Sequence, residues 1–240
     1  MIKTDFLDTA WVVIPATGIG ARAGMHHPKQ YLKIKDRSIL DYSIDVFKQV
    51  GFKNILIILN SQDSYFQARE DVQICVGAEM RYLSVGEGLK YLAKNQINKD
   101  SWILVHDAVR PCLAAEDLKK LILMVLENSK NNNFSGGILA KRLADTLKYA
   151  ESNKSLKTIS RDNLWQALTP QMFRLSLLQK AYNNIKGFSE SEVNLITDEA
   201  YLVEKLGGQP YIVEADFPNP KLTTPQDVDY IKFLLEKKSC

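Results

Sequence analysis

Apolar residues in this chain fall in short unbroken runs, separated by stretches in which they recur every three or four positions. Trp11-Val12-Val13-Ile14 is such a run, closed by Pro15 and a glycine-rich stretch, and it reads as a strand buried on both faces. After Ser38, a candidate N-cap, Ile39, Leu40, Ile44 and Phe47 keep helical spacing until Gly51 supplies a stop. Asn54 to Leu59 predicts a second buried strand, Val72 to Val76 a third and Ser101 to Val105 a fourth; helices are predicted over Ser84 to Ala93 and near Ala115 to Leu126. Gly137 to Ala140 predicts a fifth strand.

Strands alternating with helices at this spacing predict an α/β fold with a doubly wound, mostly parallel sheet, because each parallel connection needs a crossover of a dozen or more residues. Ligands in such sheets bind beyond the carboxyl ends of the strands. The pattern breaks between Lys141 and Gln171. Alternating stretches there, Thr146 to Tyr149 and Leu156 to Ile159, flank the turn-rich Ala150-Glu151-Ser152-Asn153 and predict a β-hairpin arm. An arm that cannot cover its own apolar side packs on a partner, so residues 141–171 are read as a dimerisation arm on a single domain spanning 1–240. Helices follow at Leu175 to Tyr182 and Thr197 to Lys205, then a strand at Pro210 to Val213 and a last helix after Thr224-Pro225. No internal repeat is present.

Composition narrows the function classes. With 45% hydrophobic and 25% charged residues the chain has the make-up of an ordinary globular protein. Thirty-one Lys and Arg against 28 Asp and Glu leave a net charge of +3, too even to draw a polyanion over a whole face, so no nucleic-acid partner is expected. Cys75, Cys112 and Cys240 form neither a CxxC pair nor an even set, which predicts reduced thiols. No signal peptide or membrane span is legible, and a cytoplasmic location is expected.

The candidate chemistry lies at strand ends. The first strand runs into Pro15-Ala16-Thr17-Gly18-Ile19-Gly20-Ala21-Arg22, where glycines let backbone N–H groups approach phosphate oxygens. A dinucleotide fold would want an acid at the end of the second strand, which ends instead in Asn60-Ser61; a P-loop would need Gly-Lys-Ser/Thr, which is absent. What remains is a glycine loop with Arg22 and, seven residues on, Lys29. Two such cations suit a triphosphate, and they also suit a solvated surface. The fourth strand ends in His106-Asp107-Ala108-Val109-Arg110-Pro111, where Asp107 can hold a divalent cation or cap the next turn, and His106 is read as orienting its neighbours. His26-His27 has no third ligand nearby, so no zinc site is expected.

Taken together these segments resemble the 2-C-methyl-D-erythritol 4-phosphate cytidylyltransferase family, from Trp11 to Asp227. The resemblance is carried by the Pro15 to Arg22 loop with Pro28-Lys29-Gln30-Tyr31, by Arg81 through Ser84 to Gly88-Leu89, by His106 to Pro111, and by Asp145-Thr146. Leu164 to Gln171, Thr197-Asp198-Glu199-Ala200, and Lys221 before Thr224-Pro225 complete it. It implies a nucleotidyltransferase that moves CMP from CTP to 2-C-methyl-D-erythritol 4-phosphate, with Mg²⁺ near Asp107. By the same resemblance Arg22, Lys29, Arg161 and Lys221 are catalytic. Pro15, Ala16, Thr17, Gly18, Gly20, Ala78, Glu79, Ser84, Asp107 and Ala108 hold the nucleotide. Arg110, Asp216 and Lys221 hold the second substrate, joined by Thr146, Arg161 and Thr169 from the other chain of a homodimer.

The chain departs from the family's usual pattern at four places. Thr17 replaces Ala, Ala23 replaces Met, Ala78 replaces the second glycine of a pair, and Lys141-Arg142 replace a small residue and a proline. The alternatives are a ribitol-5-phosphate cytidylyltransferase, which the Leu164 to Gln171 block disfavours, and an inactive nucleotide-binding homologue, which the retained cations oppose.

Overall fold

A computed structural model describes residues 2–18, 28–131 and 133–238. A short helix α1 (Thr4–Thr9), which the sequence pattern did not announce, precedes strand β1 (Trp11–Ala16). A 3-10 turn, Lys29–Tyr31, and the two-residue strands β2 (Lys33–Ile34) and β3 (Arg37–Ser38) lead into helix α2 (Ile39–Val50). This helix begins where its capping chemistry says it should: the Ser38 hydroxyl accepts from Asp41 N, the Asp41 carboxylate accepts from Ser38 N, and Gly51 ends it at φ 106°. Then come β4 (Asn54–Leu59), β5 (Gln73–Val76), α3 (Arg81–Lys94), β6 (Trp102–Val105), α4 (Ala115–Asn128) and β7 (Gly137–Arg142). The chain continues through β8 (Leu147–Glu151), β9 (Lys154–Ile159), β10 (Trp165–Arg174), α5 (Leu175–Asn184), α6 (Glu190–Asn194), α7 (Glu199–Glu204), β11 (Tyr211–Glu214) and α8 (Asp227–Lys238).

Seven strands form one sheet in the order β11-β7-β10-β6-β1-β4-β5. All neighbours are parallel except β10, which runs antiparallel to both β6 and β7. Burial on both faces explains the unbroken apolar runs. In β1, Val12 and Ile14 face a core that contains Leu40, Ile44 and Phe47 of α2 with Leu118 and Ile122 of α4. Trp11 and Val13 face the opposite core, built with Val85 and Leu89 of α3, Leu178 of α5 and Val203 of α7. A third cluster seats α8, through Ile231 and Leu235, on Ile34, Ile39, Cys112 and Leu222.

The arm of β8 and β9 pairs Leu147 with Ile159 and turns at Ser152 and Asn153, both left-handed at φ 45° and 64°, as a tight two-residue hairpin requires. Residues 165–174, of which 165–171 are expected inside the arm, instead return to the centre of the main sheet. Their pattern is obscured because Thr169 and Gln171 are buried polar residues at strand positions that would otherwise be apolar. At the root of the arm the Arg142 guanidinium lies 4.2 Å from the Trp165 ring centroid, and its Nε is 3.3 Å from Glu214 Oε2. Arg142 thus supplies a stacked, paired anchor.

Candidate active site

After β1 the chain adds β4 and β5 on one side and then places β6 on the other, so the sheet's switch point lies between β1 and β6. The carboxyl ends of these strands frame a cavity of about 170 Å³ lined by Pro15, Ala16, Thr17, Gly18, Gln30, Glu79, Arg81, Asp107, Ala108, Val109 and Lys221. Seven of the ten expected nucleotide-binding residues therefore meet there. Ser84 and Ala78 sit directly behind the wall, while Gly20 lies outside the described residues.

Asp107 is the electrostatic centre. Its Oδ1 accepts from Arg81 Nε at 2.9 Å, and its Oδ2 lies 3.0 Å from Lys221 Nζ and 3.3 Å from Arg110 Nε. Burial opposes its charge, but Arg81, Lys221 and Arg110 outweigh that and hold the carboxyl far below the usual range. Arg81 in turn donates from Nη1 and Nη2 to Glu199 at 2.9 and 3.0 Å, a two-pronged pairing with a fully buried carboxylate that also accepts from Tyr182 OH at 3.1 Å. Burial works against the Arg81 charge, and Glu199 with Asp107 reverses that, raising its pKa well above normal.

Behind Asp107 the polarity of one chain of bonds can be worked out. Asp107 N donates to Thr169 Oγ1 at 3.1 Å, Thr169 Oγ1 lies 3.0 Å from His106 Nδ1, and His106 Nε2 lies 3.2 Å from Arg110 O. A carbonyl only accepts, so Nε2 carries the proton and Nδ1 receives the threonine hydrogen. Full burial pushes the His106 pKa down to about 4, which keeps this neutral tautomer in place. Thr169, expected to reach a partner's site, is instead buried in its own chain's site, because this relay and the Asn219 Nδ2 bond to its carbonyl hold it there.

A second cluster closes the other wall. Ser84 Oγ donates to Ala78 O at 2.7 Å, accepts from Ala78 N at 3.1 Å, and lies 2.9 Å from Thr17 Oγ1. Left-handed non-glycine backbone occurs among the described residues at Lys35, Gln96, Ser152 and Asn153, so Ala78 needs no glycine-like conformation. Gly77 is the position that does need glycine: a Cβ there would stand 2.6 Å from both Ile58 Cγ2 and Thr17 Cγ2. Gln30 Nε2 donates to Ala16 O at 2.8 Å and Gly18 O at 2.9 Å, tying the loop after β1 to the turn that carries Lys29.

The remaining candidates lie elsewhere. Lys29 Nζ donates to Thr223 O, at the rim beside Lys221. Arg110 is buried off the wall, with Nη1 on Asn219 O at 2.7 Å. Asp216 is exposed and paired with Lys120. Thr146 and Arg161 are exposed on the arm and do not line this chain's cavity. Arg22, Ala23 and His26-His27 lie outside the described residues. Among the described residues no trio of His, Cys, Asp or Glu could hold a metal, and no helix is long and apolar enough to cross a membrane. The sequence reading gave no role to Arg81, Glu199, Tyr182 or Gln30. Arg81 and Glu199 stood in blocks that carried the resemblance, but their pairing across 118 positions has no local signal.

A cation-ringed cavity at the switch point of a doubly wound sheet defines an α/β nucleotide-binding protein of the nucleotidyltransferase kind. A family model described as "IspD: 2-C-methyl-D-erythritol 4-phosphate cytidylyltransferase" matches residues 10–237. The relative of that name from Wigglesworthia glossinidia brevipalpis is 38% identical over 230 residues, covering 93% of this chain and 94% of that protein. The one from Neisseria meningitidis serogroup C is 39% identical, covering 93% and 96%. The crystal structure of the Francisella tularensis 2-C-methyl-D-erythritol 4-phosphate cytidylyltransferase superposes with a TM-score of 0.79 at 33% identity, covering 95% of this chain and all of that one. The chain belongs to the 2-C-methyl-D-erythritol 4-phosphate cytidylyltransferase family.

Proposed function

We infer that this protein transfers CMP from CTP to 2-C-methyl-D-erythritol 4-phosphate, in isoprenoid precursor synthesis in the cytoplasm. The carrying observation is the cavity between β1 and β6, in which backbone and small side chains form the walls while Arg81 and Lys221 stand at the floor and rim. A phosphomonoester oxygen of the acceptor attacks the α-phosphorus of CTP, a new P–O bond forms, and the bond to the bridging oxygen breaks to release pyrophosphate. With a second pKa near ~6, the acceptor phosphate is already anionic and needs no general base. Positioning and charge stabilisation suffice: Arg22 and Lys29 serve the triphosphate, and Lys221 aligns the acceptor phosphate.

Asp107 is the residue that would hold Mg²⁺, through a single carboxylate. Of the two partners of its Oδ2, Lys221 is 43% exposed on a flexible stem and can move to a phosphate, while the buried Arg110 stays 3.3 Å away. Mg²⁺ bound there supplies neutralisation of triphosphate charge. Arg110 and Asp216 flank the acceptor. Thr146 and Arg161 complete the site from the partner chain of a homodimer, a reading supported by the exposed Tyr149, Leu156 and Leu164 on and beside the arm.

The test is pyrophosphate release with CTP and each of two acceptors, methylerythritol phosphate and ribitol 5-phosphate. Preference for the first is expected, and Lys221→Ala lowers kcat about 10²–10³-fold. Preference for ribitol phosphate, or CTP binding without pyrophosphate from either acceptor, overturns the assignment.

A further inference from the structure

The turn that carries Lys29 is three residues long, Lys29–Tyr31, and closes with Tyr31 N on Pro28 O at 2.9 Å and Leu32 N on Lys29 O at 3.2 Å. So short a turn does not fix its own orientation, because ordering the first helical dihedrals costs more than one or two hydrogen bonds return. Its side chains leave in three directions, as three residues per turn require, and each is held by a different part of the chain. Lys29 Nζ donates to Thr223 O, and Gln30 Nε2 donates to Ala16 O and Gly18 O in the loop after β1. Tyr31 OH donates to Asp63 Oδ2 at 2.6 Å, in the segment that follows β4.

The hold on Tyr31 is built from two residues. Asp63 Oδ1 accepts from Tyr65 N and Phe66 N, both at 3.0 Å, so one carboxylate oxygen organises its own loop while the other receives the phenol. That loop brings the Tyr65 ring onto the Tyr31 ring, with centroids 5.5 Å apart and planes at 24°. Tyr31 and Phe66 both pack against the core on the α2 side of the sheet, which ties the clamp to the body of the protein. Burial first, and then the Asp63 carboxylate, raises the Tyr31 pKa and keeps the phenol protonated as a donor.

The three holds differ in what catalysis leaves of them. When Lys29 meets the triphosphate it gives up Thr223 O, and the turn is then carried by Gln30 toward the loop after β1 and by Tyr31 toward the segment after β4. We propose that Tyr31 is a positioning residue for the transfer reaction: gripped by Asp63 Oδ2 and stacked on Tyr65, it sets the direction in which the turn presents the Lys29 ammonium to the triphosphate. This goes beyond the role given to Lys29 above and rests on it.

The experiment follows pyrophosphate release from CTP and methylerythritol phosphate by the full-length protein and by Tyr31→Phe, Asp63→Ala, Lys29→Ala and the Lys29→Ala, Tyr31→Phe double variant, with thermal unfolding to report the fold of each. Tyr31→Phe keeps the ring and its stacking and removes only the hydroxyl. It is expected to lower kcat about tenfold or more, as a misplaced catalytic group does, with the KM for methylerythritol phosphate unchanged. Asp63→Ala should do the same, and it serves if the phenylalanine variant does not fold. In the Lys29→Ala background the loss of the Tyr31 hydroxyl should cost nothing further, because a residue that acts through another has no effect once that other is gone. A folded Tyr31→Phe protein within about twofold of the wild-type kcat, or a loss repeated in full in the Lys29→Ala background, overturns the role of Tyr31 and leaves the transfer reaction standing. Wild-type protein that releases no pyrophosphate overturns the transfer reading and this inference with it.

Discussion

Replacing Glu199 with alanine removes the carboxylate that holds both Nη atoms of Arg81. In the intact site Arg81, Arg110 and Lys221 stand against Asp107 and Glu199; in the variant three cations remain on one carboxylate. Breaking a buried pair by deleting one partner costs about 3–5 kcal/mol. Arg81 is 25% exposed and recovers part of its hydration, so the lower end applies. The orphaned Tyr182 hydroxyl adds about 1 kcal/mol. The sum, about 4 kcal/mol, lowers Tm by about 8–16 °C for a chain of this size. Urea unfolding followed by circular dichroism measures it, and the companion double variant Glu199→Leu with Arg81→Met, which leaves no lone charge, should be the more stable of the two. A loss below about 1 kcal/mol in the single variant, or a double variant less stable than the single, would refute the assignment of a stabilising buried pair.

Three further outcomes follow from the geometry. His106 has a folded pKa of about 4 against an ordinary 6.5, so the unfolded chain takes up the proton first; stability is intact above about pH 6.5 and falls as the pH drops toward 4, by roughly 3 kcal/mol in all. A His106→Gln variant should show a flatter decline across that window, and an unchanged slope in urea midpoints argues against the neutral histidine. Gly77→Ala should destabilise by about 1–3 kcal/mol and weaken CTP, since the new methyl meets Ile58 and Thr17 at 2.6 Å; a variant as stable as wild type contradicts the close approach. On the arm-shared homodimer proposed above, mixing Arg22→Ala and Arg161→Ala chains should regain part of the activity each lacks, because some hybrids would carry one intact site; no recovery after verified exchange means that each site is built from one chain.

The sheet was largely legible because a strand buried on both faces has no polar position to blur it, as in Trp11 to Ile14 and Asn54 to Leu59, and because Ser38 and Gly51 mark the ends of α2 chemically. Boundaries slipped where no cap exists: α3 starts at Arg81, three residues before the expected Ser84, since Met80 makes no side-chain cap. The strand over 165–174 was hidden by its own function-facing residues, for Thr169 and Gln171 are polar and buried in bonds to distant partners. The same reason limited the site. Loops such as Pro15 to Gly18 and His106 to Val109 announce themselves by position at strand ends, but the Arg81 to Glu199 fork, the Gln30 tether and the Thr17 contact join segments that only folding brings together.

The reversed strand β10 serves both the arm and the site. One end of this strand, at Trp165, forms the root of the protruding hairpin and is pinned by Arg142, while four residues further along Thr169 carries the hydroxyl on which the Asp107 amide rests. Residues 160–164 separate β9 from this strand, and its pairing with β7 shifts register between Ala167 and Gln171, so the irregular stretch is the one that carries the Thr169 hydroxyl. The root of the hairpin and the support under the central carboxylate thus belong to one strand, with the break in its ladder beginning between them.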